Sequence, residues 1–258
     1  MVKKKKNTWI IRTEKELEQL RKNALVHKEV FEEIKKMAKP GVSAYQIDKM
    51  AGDICEKNDV LAWFKWVYNF PANICISINE VVVHWVPTKS MIFKEGDVVK
   101  FDFGVKDKII WMNTDAAICL IIGDGPHDKE VERFLKVNEE ALMKWIAKCV
   151  PWNRTGDIGH AIQTHVEKNW FHIVKDLTGH WIGYNLHEEP YIYNYWKPWT
   201  GKLLKKNMSL AIEPIIWFST WKIKDFPPKF EIFMEDNWLG CQFEHMIIVK
   251  EWYPEIIV

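Results

Sequence analysis

The 258-residue sequence predicts an α+β domain of two pseudo-symmetric halves, each with helices packed on an antiparallel sheet. Three observations carry this expectation. The same order of elements, two amphipathic helices and then strand-like runs, occurs twice. Pro40 and Pro151 mark the same point in each half at an offset of 111 (151 − 40), which also superposes Ile47 on Ile158 as the first apolar residue of each second helix. No low-complexity linker separates the halves, so residues 13–258 read as a single domain behind a basic tail at 1–12.

The elements follow in order. Thr13 with Glu16 forms a capping-box pattern. Leu17, Leu20, Ala24, Phe31 and Ile34 then keep helical spacing until Pro40-Gly41 ends the helix. Ser43 with Gln46 opens a second helix through Ile47, Met50, Ala51 and Ile54. Strands are expected at 73–78, 81–86, 98–105 and 109–122, with Lys106-Asp107-Lys108 as a hairpin tip. In the second half helices are expected at 129–148 and 155–168, and strands around 171–174, 209–218, 230–234 and 241–249.

Composition narrows the function classes. With 48% hydrophobic residues the chain can bury a sizeable core, and a net charge of +1 gives no electrostatic case for specific nucleic-acid binding. The MVKKKK start lacks a following apolar region, so it reads as a solvated basic tip, with ribosome or RNA contact as the alternative, and not as a secretory signal. No apolar run reaches the length of a membrane span. Cys55, Cys75, Cys119, Cys149 and Cys241 are odd in number and unpaired in spacing, which fits reduced thiols in a cytoplasm.

The chemistry is carried by five residues. Asp102 (FDFGV), Asp115 (TDAAICLII), His180 (TGHWIG), Glu213 (LAIEPII) and Glu244 (QFEHMIIV) each sit in a short apolar run where a charge is expensive to bury. Four carboxylates in strand-like runs repel one another unless something positive lies between them. A pair of divalent metal ions is the economical answer, with one imidazole completing the set. Asp102 and Asp115 fall on the two arms of the expected hairpin. His84 and His187 are candidates to bind substrate or move protons, whereas His245 should face away from Glu244.

The blocks ICISINEVVVHWVP, GDVVKFDFGV, TDAAICLII, TGHWIG–NLHEEP, LAIEPI and QFEHMIIV resemble, in order, the signature blocks of type I methionine aminopeptidases. The resemblance runs from about Thr13 to Val249. It implies the pita-bread fold, in agreement with the duplication. It implies that Asp102, Asp115, His180, Glu213 and Glu244 are ligands to two divalent metal ions (Mn, Fe, Co or Zn). Glu213 would shuttle the proton, His187 and His84 would contact the scissile peptide and the leaving side, and Cys75 and Phe70 would line a methionine pocket. The implied substrate is the N-terminal methionine of nascent chains, handled by a cytoplasmic monomer near the ribosome, with no membrane partner. Two alternatives stand: an Xaa-Pro aminopeptidase or prolidase, and a catalytically impaired binding protein of the same fold.

The sequence departs from the family in two places. The Asp102–Asp115 interval is about two residues longer than the family pattern, an even change that keeps a side chain on its strand face. The larger departure is that 15 Trp outnumber 12 Gly. Trp85, Trp152 and Trp181 stand where the family has glycine, and the internal repeat itself superposes Trp152 on Gly41 (152 − 41 = 111). Trp196, Trp199 and Trp252 also occupy turn-like contexts. A pseudoenzyme filled by indoles, random damage, and UGA codons that the cell reads as glycine are the competing explanations. The last accounts for the low Gly, the high Trp and the positions together. Rings at 85 and 181 are expected to crowd the cleft beside His84 and His180.

Overall fold

The computed structural model describes residues 11–67, 69–219, 222–224 and 230–258, so the basic tip lies outside the described residues. The first half consists of α1 (Glu14–Met37), α2 (Ala44–Lys57), β1 (Val60–Ala62), a 3-10 turn (Trp63–Trp66), β2 (Cys75–Ile78), β3 (Val81–Val83), β4 (Val98–Asp107) and β5 (Asn113–Ile121). The second half begins with α3 (Lys129–Ile146), α4 (Thr155–Lys168), β6 (His172–Ile173), β7 (Thr178–Trp181), β8 (Glu188–Tyr193) and β9 (Ser209–Ile212). It closes with β10 (Ile215–Trp217), β11 (Ile223–Lys224), β12 (Ile232–Met234), β13 (Gly240–Gln242), β14 (His245–Ile248) and β15 (Glu255–Ile256).

Local chemistry starts the helices where expected. The Glu16 carboxylate accepts from the Thr13 backbone N–H (2.6 Å), and the Gln46 amide oxygen accepts from that of Ser43 (2.9 Å), which satisfies donors a helix start leaves open. The duplication is geometric as well as sequential. α2 and α4 are both 14 residues long at the offset of 111 (155 − 44), and both end at an asparagine, Asn58 and Asn169.

Two large apolar cores follow from the two halves. Leu17, Leu20, Ile34, Ile47, Phe101 and Phe103 belong to the first, beneath α1 and α2. Phe134, Trp145, Ile158, Ile162, Leu210 and Ile247 belong to the second, beneath α3 and α4. The first half carries an antiparallel sheet in the order β1-β4-β2 with β5 on β4, and the second a five-stranded sheet in the order β15-β14-β9-β7-β8. Ala117 and Glu244 exchange backbone hydrogen bonds (2.9 and 3.2 Å) and stitch β5 to the second half.

The sequence expectation fails where side chains override the strand pattern. The hairpin tip is not Lys106–Lys108: β4 continues through Asp107, and the turn occupies 108–112. The Asp107 carboxylate accepts from the backbone N–H groups of Ile109, Ile110, Trp111 and Met112, an anionic cradle for a longer turn. The runs at 209–218 and 241–249 each break in two, at Glu213-Pro214 and at Phe243-Glu244. β7 and β8 form strands where the sequence pattern predicts none. Gly179 there holds no turn. A β-carbon on it would lie 2.7 Å from the Ala211 carbonyl oxygen, so glycine permits close strand approach.

Backbone angles bear on the tryptophans. Trp111, Trp152, Trp170 and Trp199 have φ of 65°, 82°, 67° and 63°, in the left-handed region that favours glycine. The expected crowding of the cleft does not occur. Trp181 is fully buried in the second core, because adjacent strand residues face opposite ways and His180 takes the cleft side. Trp85 packs on the first core and near Phe233 (ring centroids 6.4 Å).

Candidate active site and metal centre

Strand register brings the two aspartates together. On β4 and β5, Asp102 opposes Ala117 and Gly104 opposes Asp115. Asp102 and Gly104 share a face, so both carboxyls emerge on that face as a diagonal pair. β7 delivers His180 from the other half, opposite Ala211 of β9. Glu213 and Glu244 come from the breaks between β9 and β10 and between β13 and β14. Pro214 cannot donate to a ladder, which helps end β9 at Ile212 and leave Glu213 in the break. The two breaks are therefore how a pair of strands gives up pairing to turn a carboxylate inward.

All five sequence-predicted donors converge. His180 Nε2 lies 3.6 Å from Glu213 Oε1 and 3.9 Å from Glu244 Oε1. Donor atoms of Asp102, Asp115 and Glu244 lie within 4.8 Å of one another, as do those of His180, Glu213 and Glu244. His180 Nδ1 sits 3.0 Å from the Trp181 carbonyl oxygen. That bond assigns the proton to Nδ1 and leaves the Nε2 lone pair facing the carboxyls.

Electrostatics sets what this cage needs. Burial pushes Asp102 up to about 7, against a hydrogen bond from Gln242 that lowers it. Burial and then mutual repulsion push Asp115, Glu213 and Glu244 well above the carboxylate range. Burial lowers the His180 imidazole to about 3. Two like charges 4 Å apart repel by about 4 kcal/mol at an effective dielectric of 20. The Gln242 amide reaches them, its Nε2 donating at 3.4 Å to both Asp102 Oδ2 and Glu213 Oε2. Asp102 Oδ1, Asp115 Oδ1 and Glu244 Oε1 are buried without a hydrogen-bond partner. Orphaned anionic oxygens around one neutral imidazole nitrogen fit a divalent metal site.

The cage floors a cleft of about 250 Å³. His84 and His187 line it, with the His187 ring edge-on to that of His180 at 4.5 Å. His84 holds a φ of 64°, a conformation that histidine tolerates better than branched residues. Phe70 and Cys75 lie in an apolar end with Phe230, the Phe70 and Phe230 rings meeting edge-to-face at 5.4 Å. His245 stays out of the cleft, as expected.

Sequence reasoning missed two buried polar residues two positions before cage donors, Gln242 and Lys100. Gln242 is neutral and gives no charge signal, although its position two before Glu244 was a hint. Lys100, two residues before Asp102, is 1% exposed, and its ammonium donates to the Asn79 carbonyl oxygen at 2.9 Å rather than to the carboxyls.

An oxygen-rich cage with one imidazole, opening on an apolar pocket, is the equipment of a hydrolase that works with divalent metal. Residues 18–251 match the model of metallopeptidase family M24, and the chain belongs to that family. Relatives within it include methionine aminopeptidases. The enzyme of that name from Clostridium acetobutylicum is 34% identical over 248 residues, covering 96% of this chain and 98% of the relative. The solved structure of methionine aminopeptidase from Thermotoga maritima superposes with a TM-score of 0.91 at 34% identity, covering 96% and 98% of the two chains. Prolidase from Pyrococcus horikoshii shares the fold alone, at 17% identity, a TM-score of 0.73 and 63% of its length covered.

Metal binding must displace protons from this cage, and the sign follows from the shifts. Carboxyls whose folded pKa is raised hold protons that a metal must expel, so affinity rises with pH, while the His180 imidazole, lowered to about 3, is already neutral between pH 5.5 and 7.5. The Tm gain on adding Mn2+ to metal-free protein is therefore expected to be larger at pH 7.5 than at pH 5.5. Equal gains at both pH values would count against the cage as the binding site.

Proposed function

We propose that the chain removes the N-terminal methionine from proteins by metal-assisted hydrolysis of the first peptide bond. The observation that carries this reading is the juxtaposition of the five-donor cage with the Phe70–Cys75 end of the cleft. Two of the donor triads share Glu244, and Asp102, Asp115, His180, Glu213 and Glu244 would together hold a pair of divalent ions. Carboxylates with one imidazole suit Mn, Fe, Co or Zn. When bound, such ions polarise a carbonyl and acidify water.

The chain's own residues supply the rest. Glu213 is the general base: it takes the proton of the attacking water and returns it to the leaving amine. Its side chain is 12% exposed against 2% for that of Glu244, which gives it access to the cleft. His187 faces the scissile carbonyl and His84 the leaving amide, each as a hydrogen-bond donor. Phe70 and Cys75 wall the methionine thioether; a polarizable thioether makes favourable contacts with aromatic edges. All five donors come from one chain, so a monomer suffices, and nascent chains in the cytoplasm are the natural substrate on this reading.

Competing peptides test the proposal. Met-Ala-Ser is expected to release methionine, and a peptide with alanine in place of that methionine is expected to be turned over far more slowly. Cleavage that requires proline in the second position would shift the reading to a prolidase-like enzyme. Tight metal binding with no methionine release would shift it to a binding protein.

A further inference from the structure

Arg12 is 1% exposed, and a guanidinium removed from water costs several kcal/mol unless its donors are satisfied. Here they are satisfied by Ser209 at the start of β9 and by the segment that follows β7. Nε donates to Ser209 Oγ at 3.0 Å, a terminal nitrogen donates to the Ile182 carbonyl oxygen at 2.9 Å, and the same group pairs with the Glu188 carboxylate. The other Glu188 oxygen accepts from the Asn185 backbone N–H at 3.1 Å. Gly183 makes the room: a β-carbon there would lie 2.0 Å from the guanidinium. Ile182 is two residues after His180, and Glu188 directly follows His187. The Arg12 backbone N–H is itself fixed on the Asn207 carbonyl oxygen at 2.8 Å.

We propose that Arg12 is a positioning residue that clamps both ends of the His180–His187 segment and so sets the placement of a metal donor and a substrate donor together. Arg12 does not line the cleft, and it acts only through the turn it grips. The inference rests on the roles given above to His180 and His187. The test uses the full chain and two readouts, Mn2+ affinity by calorimetry and methionine release from Met-Ala-Ser.

Loss of an outer partner of a metal ligand costs about 10–100-fold. Arg12→Met is expected to weaken Mn2+ binding and to lower kcat by factors in that range, with a smaller change in KM. Guanidinium ion added in solution is expected to restore part of both, and Arg12→Lys to fall between. A folded Arg12→Met with wild-type Mn2+ affinity and kcat overturns the proposal. Should Arg12→Met fail to fold, Glu188→Gln decides: it keeps the bonds to Ser209 and Ile182 but weakens the grip beyond His187, and an unchanged kcat overturns the proposal. If the wild-type chain releases no methionine, the functional reading fails, and Mn2+ affinity alone decides the role of Arg12.

A second inference rests on the backbone. Trp111, Trp152, Trp170 and Trp199 are 51%, 78%, 84% and 80% exposed, so packing gives little return for their left-handed φ, the Lys106 ammonium 5.8 Å from the Trp111 ring centroid being the exception. Among the described residues, the other non-glycine residues at positive φ are asparagine, aspartate and histidine, which tolerate it. The duplication provides an internal control. Trp152 (φ 82°) superposes on Gly41 (φ 88°), and Trp170 (φ 67°) on Asp59 (φ 52°), both at the offset of 111. The geometry points to glycine at these four positions in the chain the cell makes, encoded by UGA. The gene and the peptide masses of the native protein decide. UGA codons and glycine masses at all four positions are expected, and UGG at any of the four overturns the assignment.

Discussion

Glu213→Gln is expected to lower kcat for methionine release by about 10²–10⁴-fold, the range over which a positioned general base contributes. The substitution is nearly isosteric, so the chain should still fold. The metal-free variant should be no less stable than the parent, because it removes one of four buried carboxyls that repel one another. Gln242 already donates to Glu213 Oε2, and the new amide can present an oxygen to it in place of the carboxylate. The pattern of loss is the informative part. A fall in kcat at saturating Mn2+ assigns proton transfer to Glu213, whereas a loss that excess Mn2+ reverses assigns it metal holding alone. Activity within a few-fold of wild type would remove Glu213 from the chemistry.

Replacing Trp111, Trp152, Trp170 and Trp199 together by glycine is expected to stabilise the chain by several kcal/mol. An L-residue held left-handed costs about 1–2 kcal/mol, and exposure leaves little packing to lose. For a chain of this size each kcal/mol moves Tm by about 2–4 °C, so a rise of roughly 10 °C is the expected scale. Gly at these turns returns some entropy to the unfolded chain, which trims but does not reverse the gain. Thermal unfolding of the fourfold variant measures it. Trp181→Gly is the contrasting case, because that ring is fully buried in the second core and its removal leaves a cavity worth about 3–5 kcal/mol. A fourfold variant with an unchanged or lower Tm would contradict the account of those turns.

Much of the fold was legible because its signals are local. Thr13 and Ser43 announce their helices, and α4 spans the residues expected of it. The five donors were legible for an electrostatic reason: a charge inside an apolar run is expensive and so must have a purpose. What escaped was set by tertiary partners. The hairpin tip moved because Asp107 gathers four backbone amides, which no two-residue periodicity records. β8 escaped because its alternating, Pro190-containing edge reads as loop until β7 pairs with it. Arg12, assigned from sequence to the tail, has its side chain among residues more than 160 positions away. Trp181 was expected in the cleft because only its neighbour His180 was considered; strand alternation sends it the other way.

The central claim is that the cage of Asp102, Asp115, His180, Glu213 and Glu244 holds divalent metal for release of an N-terminal methionine. It is tested most directly by stripping the chain with a chelator and titrating Mn2+ back while following methionine release from Met-Ala-Ser. The account predicts no release without metal, and a rate that rises with Mn2+ and saturates within two equivalents. Release that survives chelation, or none at saturating metal, would contradict it.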